Sequence, residues 1–359
     1  MLMARSPVRI SFGGGGTDLP AYYERFGGAV LSTAIDKYFY TILRKRDDGN
    51  IQVISSDLRK LENWRDIGKL EVKGSDLEIP LAAIKELGCE LSVDLFLASE
   101  IPPGTGLGSS ASVCVNVLKI LSEYLTIGLS RHEIAERAYH IARDVLGKPV
   151  GKQDEYATAF GGLNYIEFRH DGTVSVQPIS LPPDVLRELQ SNLMLFFTGT
   201  AHNSWDILKD QESSTKAVSG MAVEALHEIR ELADRMRSVL QRGELDRFGK
   251  LLDVGWQAKK RISSKISNSN IDDLYNMARS NGALGGKITG AGGGGFLLLY
   301  CPELRQQKVR EAFVAYRVPE LSFGFDVEGA RIVINDPFLD SDANSGLSWQ
   351  FIPCTNAVS

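Results

Sequence analysis

Three glycine-rich stretches carry polar side chains of the kind that grip phosphate. Residues 102–112 read PPGTGLGSSAS, with alternate glycines at 104, 106 and 108, the pair Ser109 and Ser110, and no charge. A helix N-terminus has unpaired N–H groups and a partial positive charge, and glycines ahead of it remove the Cβ atoms that would keep a phosphate away. The loop therefore reads as an anion cradle. Its serines could cap the helix, donate to a phosphate oxygen or reach a bound Mg2+. It is not a Walker loop, which needs a lysine, nor a Rossmann turn, because Ser109 stands where the third glycine of GxGxxG belongs. The plainer alternative is an ordinary glycine turn with a serine cap.

The two other clusters lie far away in the chain. SPVRISFGGGGTDLP puts Arg9 in a strand-like stretch and four glycines before Thr17 and Asp18. GGKITGAGGGGFLLLY contains a formal GxGxxG at Gly290, Gly292 and Gly295. Phe296 to Tyr300 read as a buried strand rather than a helix, so the Rossmann context fails there too. Each cluster alone could be a bulge or tight turn. Three of them, each with a polar residue beside it, point to one composite site.

Around these loops, strand-like and helix-like stretches alternate irregularly. SVDLFLA, residues 92–98, repeats apolar residues at period two and predicts a half-buried strand; IPPG ends it. Apolar residues at 111, 114, 117/118, 121 and 125 predict a helix, so the serine loop joins a strand to a helix. Residues 215–241 carry Val218, Met221, Ala225, Ile229, Leu232, Met236 and Leu240 on one helical face, with Gly243 as a stop. HDG and a PP pair within 170–184 suggest a division near residue 180. The expected organisation is an N-terminal domain over 1–180, a C-terminal domain over 181–335 and a tail, 336–359, of unknown role.

Composition narrows the class. A chain of 359 residues has room for two cores. Forty Lys and Arg against 45 Asp and Glu give a net charge of -5 without a long basic run, which argues against nucleic acid as a partner. Cys89, Cys114, Cys301 and Cys354 are far apart and lack CxxC spacing, so they read as reduced thiols. No segment has the length and apolarity of a signal peptide or membrane span, and a cytoplasmic protein without membrane partners is expected.

SPVR…GGGGTD, PPGTGLGSSAS and KITGAGGGGF, in that order, resemble the three motifs of the GHMP kinases, the superfamily of galactokinase, homoserine kinase, mevalonate kinase and phosphomevalonate kinase. The resemblance runs from about residue 5 to 335. FGGAVLSTAIDKY, GKQDEYATAFGG and GALGGKITGAGGGGF look most like the sugar 1-kinases that act on D-glycero-D-manno-heptose 7-phosphate. The resemblance implies an α+β, two-domain fold: an N-terminal domain like ribosomal protein S5 domain 2, and a ferredoxin-like C-terminal domain. ATP, Mg2+ and a small sugar or sugar phosphate would meet in the cleft between them.

It also implies roles. Pro103, Gly104, Gly106, Leu107, Gly108, Ser109, Ser110 and Ala111 would hold the ATP phosphates, with Ser110 also a Mg2+ ligand. Asp154 in GKQDEY matches the catalytic aspartate, and Arg9 matches a basic partner for it. Thr17, Asp18 and Asp36 would meet substrate hydroxyls, Lys152 a phosphate of the substrate or of ATP, and the loop of Gly290 and Gly292 the substrate side of the cleft. For Asp154 and Asp18 the bland alternative is helix or turn capping, and for Arg9 and Lys152 a solvated cation.

Two departures stand out. Related heptose kinases usually carry a metal-binding glutamate where IAR gives Ala142 here. Asp144, about 200° round a helix, is the nearest replacement, with Glu136 or water as alternatives. In TGTAHNSWDIL, His202 replaces a common arginine, and an imidazole clamps an anion less well than a guanidinium. The expected activity is phosphorylation of the anomeric hydroxyl of D-glycero-D-manno-heptose 7-phosphate. The alternatives are a kinase of another sugar or a cyclitol, and a nucleotide- or sugar-binding regulator without turnover.

Overall fold

Alternation along the first strand decides which side chains face the core and which face the site. In the computed structural model, β1 (Leu2–Gly13) buries Val8, Ile10 and Phe12 in an apolar cluster. At period two, Arg9 and Ser11 must then point the other way. The structure describes residues 1–336 apart from 71, 88–90, 200–203 and 217–219.

β1 belongs to an eight-stranded sheet with β2 (Gly28–Lys45), β3 (Ile51–Ser55), β4 (Lys60–Trp64), β5 (Val93–Ser99), β6 (Leu163–Phe168), β7 (Val174–Pro178) and, from the far end of the chain, β11 (Arg331–Asn335). Its main order is β11-β1-β2-β5-β3-β4, and among the described residues only β3 and β5 pair in parallel. Eighteen residues make β2 long enough for two partners on one edge: Gly28–Thr33 pairs with β6 and Phe39–Lys45 with β5. The second sheet is antiparallel, β8-β10-β9, from β8 (Leu193–Phe197), β9 (Gly285–Ile288) and β10 (Phe296–Tyr300). A bridge between Phe196 and Glu320 continues it beyond β8.

Three apolar clusters hold these layers. One packs the helix Ser109–Tyr124, through Val117, Leu118 and Leu121, against β2, β3 and β5. The second joins β1 to β8, β10 and the helices Met221–Gln241 and Leu245–Lys260. The third fills the other face of the small sheet, around Phe196, Trp256 and Phe313. FLLLY is thus buried on both faces, which is why it reads as an unbroken apolar run.

The strand expected at 92–98 is β5, and the helix expected from residue 111 begins at Ser109. The long helix expected over 215–241 is corrected. Helix Ser204–Lys216 ends first, and Met221–Gln241 starts after Gly220 with Met221 74 % exposed. Val218 lies outside the described residues. Ala225, Ile229, Leu232, Met236 and Leu240 are buried as the period requires.

The chain leaves the first sheet at Pro178, and the helix Pro183–Ser191 starts on the expected PP pair. Assigning everything from 181 to 335 to a second domain needs correction, because β11 pairs antiparallel with Leu2–Arg5 of β1. Residue 336 extends that contact, its N–H donating to Met1 O; the tail 337–359 lies outside the described residues. Among the described residues no helix is long and apolar enough to cross a membrane. Cys114 and Cys301 are buried free thiols, whereas Cys89 and Cys354 are not among the described residues.

Candidate active site

The three glycine loops meet, and they do so through their backbones. Gly106 has φ +82°, and a Cβ there would lie 2.5 Å from Thr289 O. Gly290 has φ +69°, and its Cβ would fall 2.6 Å from Gly106 Cα. Side chains at either position would force the loops apart. Gly295 approaches Thr105 O and Gly292 approaches Ile266 O in the same way. The third motif therefore braces the second.

Arg9 ties this pair of loops to the catalytic candidate. Its backbone N–H donates to Leu107 O at 2.9 Å, and its Nη1 donates to Gly106 O at 2.7 Å. Its Nε and Nη2 reach Oδ1 and Oδ2 of Asp154 at 2.7 and 2.6 Å, the two-pronged geometry that a guanidinium offers a carboxylate. Gly108 lets this happen: a Cβ there would sit 3.3 Å from Asp154 Oδ2 and 3.4 Å from Arg9 Cγ. Gly108 also starts the helix Ser109–Tyr124, in left-handed conformation (φ 80°, ψ 27°), with no side-chain cap. Ser109 and Ser110 occupy its first two positions rather than the cap, and the buried Ser109 Oγ has no hydrogen-bond partner. Asp154 is the second residue of the helix Gln153–Phe160, whose cap position is Lys152, so the capping alternative for Asp154 falls away.

A cavity of about 300 Å3 opens in front of these groups. Arg9, Asp154, Asp18 and Gly290 line it, as do Pro103, Gly104, Gly106, Gly108, Ser109, Ser110 and Ala111. Asp18 is 3 % exposed and accepts from Gly16 N at 2.8 Å and from Gln153 Nε2 at 2.9 Å. Burial, with repulsion from Asp154 behind it, pushes its carboxyl above the usual range.

The other expected residues do not line the cavity. Leu107 is buried, its carbonyl turned to Arg9 N. Thr17 Oγ1 sits 2.8 and 3.1 Å from the carbonyls of Gly14 and Ala29, so it pins the glycine turn instead of meeting substrate. Asp36 accepts from Gly324 N at 2.7 Å and holds a remote loop. Lys152 Nζ is spent on Glu136 at 2.8 and 3.0 Å and on Gly172 O at 2.8 Å, so neither Lys152 nor Glu136 is available to a ligand. Asp144 lies in a π-helical segment, Ile141–Val145, but points outward to His140 at 2.8 Å and cannot supply the metal ligand expected of it. Gly292 serves the packing just described. Ala142 does line the cavity, and His202 lies outside the described residues.

Among the cavity residues not singled out from the sequence are Ser11, Gln153, Glu155, Gln211, Lys259 and Lys287. Ser11 follows from strand period once Arg9 is placed. Gln153 and Glu155 flank Asp154 in GKQDEY, and Lys287 opens KITGAGGGGF. Nothing local marks Lys259 or Gln211, whose burial depends on how two distant helices pack.

Lys259 donates to Gly290 O, and Lys287 Nζ donates to Ser11 O at 2.8 Å. Burial, with Arg9 nearby, draws the Lys259 ammonium down to about 8, and burial with Lys259 and Arg9 nearby lowers that of Lys287 well below its ordinary value. Arg9 is paired with Asp154, but Lys259 and Lys287 make no ion pair among the described residues, and two such buried ammonium groups on one cavity favour an anion there. Ser11 Oγ, Gln153 Oε1, Gln211 Nε2 and Glu155 Oε2 are buried and lack hydrogen-bond partners. A polar ligand would satisfy them. Among the described residues, no group of three or more His, Cys, Asp or Glu side chains could hold a metal alone. Mg2+ that arrives on phosphates needs only one or two protein ligands, and Ser110 with the orphaned Glu155 Oε2 fits that requirement.

The family model described as GHMP kinases N terminal domain matches residues 78–162, and GHMP kinases C terminal matches 236–318. The chain is 32% identical over 337 residues to a D-glycero-alpha-D-manno-heptose 7-phosphate kinase of Campylobacter jejuni, covering 92% of this chain and 98% of that one. A mevalonate kinase of Pyrococcus horikoshii is 25% identical, over 86% of this chain and 92% of its own. Among solved structures, a D-glycero-D-manno-heptose 1-phosphate kinase from Bacteroides thetaiotaomicron superposes with a TM-score of 0.78 at 28% identity, over 94% of this chain and 100% of that one.

Proposed function

The chain belongs to the GHMP kinases, and on that premise we propose that it transfers the γ-phosphoryl group of ATP to the anomeric hydroxyl of D-glycero-D-manno-heptose 7-phosphate, giving the 1,7-bisphosphate. The observation that carries the mechanism is the Arg9-clamped Asp154 beside the start of the Ser109 helix, on one cavity.

Phosphoryl transfer asks a protein chiefly to hold donor and acceptor in line and to balance developing charge. The Gly104–Gly108 backbone and the first N–H groups of the Ser109 helix receive the triphosphate. Arg9, Lys259 and Lys287 offset its charge. Mg2+, when bound with Ser110 as one of its ligands, would screen the phosphate oxygens. Asp154, fixed by the fork of Arg9, accepts the proton of the attacking hydroxyl. Ser11, Gln153 and Gln211, with Asp18 behind them, offer donors and acceptors for the remaining sugar hydroxyls. Retention of Arg9, Ser110 and Asp154 around one cavity favours turnover over a binding-only regulator.

ADP release measured over a panel of sugars, cyclitols and sugar phosphates tests the reading. The heptose 7-phosphate should give the highest kcat/KM, with phosphate added at C1. ATP binding without turnover on any member would overturn it, and preference for another sugar would move the assignment to that substrate.

A further inference from the structure

Of the three carboxylates that line the cavity, Asp18, Asp154 and Glu155, only Glu155 has no ion pair or side-chain hydrogen bond among the described residues. Asp154 is held by Arg9, and Asp18 by backbone and Gln153 donors. Glu155 is 3 % exposed, its Oε2 has no hydrogen-bond partner, and no cation among the described residues pairs with it. A buried carboxylate in that position must take up a proton or be met by a cation. Glu155 shares the cavity lining with Ser110 and with Cys114, one helical turn further along the same helix face.

Ala142 lies on the same cavity. It is part of the Ile141–Val145 π-helical segment, where Leu146 N–H donates back to Ile141 O at 2.9 Å, and single π turns of this kind gather at functional sites. The methyl group brings no ligand to the cavity, and the two acidic residues nearest in sequence, Glu136 and Asp144, are turned to Lys152 and His140. Glu155 is left as the carboxylate that can face a metal carried on nucleotide phosphates.

We propose that Glu155 is the carboxylate ligand of the divalent cation in this chain, taking the place of a side chain that Ala142 lacks. The proposal rests on the phosphotransferase reading. It reassigns one function from the π segment to the helix of Asp154, so that proton acceptor and metal ligand are consecutive residues whose side chains diverge by about 100°.

Mn2+ binding followed by electron paramagnetic resonance, in the presence of a non-hydrolysable ATP analogue, tests it without turnover. Glu155→Gln should weaken Mn2+ by about 10-fold or more, since even outer partners of a metal cost that much. Metal-free binding of the analogue should be unchanged. Ala142→Glu added to Glu155→Gln should restore most of the affinity. In crystals of the unmodified protein with Mn2+ and the analogue, anomalous scattering should place the ion roughly 2.1 Å from a Glu155 oxygen. That measurement decides the matter if Glu155→Gln fails to fold. Unchanged Mn2+ affinity, or an ion held by phosphates and Ser110 with Glu155 out of reach, overturns the proposal. Failure of the unmodified protein to bind the analogue at all would instead overturn the phosphotransferase reading.

Discussion

Arg9 engages Asp154 through two parallel hydrogen bonds, 2.7 and 2.6 Å long, while its remaining terminal nitrogen holds the carbonyl of Gly106 at 2.7 Å. One guanidinium thus fixes Asp154 and the Gly104–Gly108 loop relative to each other. Strand, loop and helix from three parts of the chain share one ruler.

If Asp154 accepts the proton, Asp154→Asn should lower kcat by roughly 100-fold or more and leave nucleotide binding nearly intact. Steady-state kinetics beside a binding titration decide it, and near-normal kcat would reject the role. Arg9→Lys should also lower kcat, because an ammonium cannot make both prongs and still reach Gly106 O.

Backbone contact between the loops makes Gly106 intolerant of a side chain. Gly106→Ala places a Cβ 2.5 Å from Thr289 O at φ +82°, and the left-handed conformation alone costs about 1–2 kcal/mol. Urea unfolding should show at least that loss, with weaker nucleotide binding. Unaltered stability would mean the loops are not braced on one another.

Lys259 gives a pH signature. Its ammonium is held at about 8, against an ordinary 10.5, chiefly by burial. Between those values the unfolded chain keeps a proton the folded chain has shed, so this group's contribution to stability rises with pH across that window. Bound phosphate favours the charged amine, so nucleotide affinity should fall as pH climbs past about 8. Lys259→Met should flatten that fall and weaken binding at neutral pH by roughly 10-fold. Calorimetric titrations on both sides of pH 8 check it, and an affinity indifferent to pH would remove Lys259 from the phosphate site.

Gln211 Nε2 is buried and unpartnered on the cavity, and an acceptor on the sugar would satisfy it. Gln211→Leu should raise KM for the sugar by roughly 3- to 10-fold, the worth of one hydrogen bond. KM for ATP should hold. A rise in the ATP constant instead would place Gln211 on the nucleotide side.

Much of this site is legible in the sequence because its parts are local. A glycine loop between strand and helix suggests an anion cradle, two further glycine clusters strengthen that reading, and Arg9 and Asp154 sit inside recognisable runs. Adjacency to a motif proved a poor guide to facing the site. Lys152 is two residues before Asp154 and is turned to Glu136, while Asp144 follows Ala142 by two and points outward. Two residues along a helix is about 200° of rotation, which carries a neighbour to the opposite side. Lys259 and Gln211 were illegible for the converse reason. Each is one polar residue in an amphipathic helix, and only packing between distant segments brings it indoors. The sheets were readable strand by strand, but the return of β11 to β1 joins residues more than 325 positions apart and leaves no local trace.

That return means the polypeptide clasps its own beginning. β1, which carries Arg9, has β2 on one flank and β11 on the other, with the Met1 ammonium donating to Asp336 O at 2.7 Å. Were the residues after 330 trimmed away, the outer flank of the strand that carries Arg9 would present a bare row of amide donors and acceptors, a template on which a second copy could add itself. The five residues of β11, far beyond the third glycine motif, therefore cover an edge that would otherwise stand open.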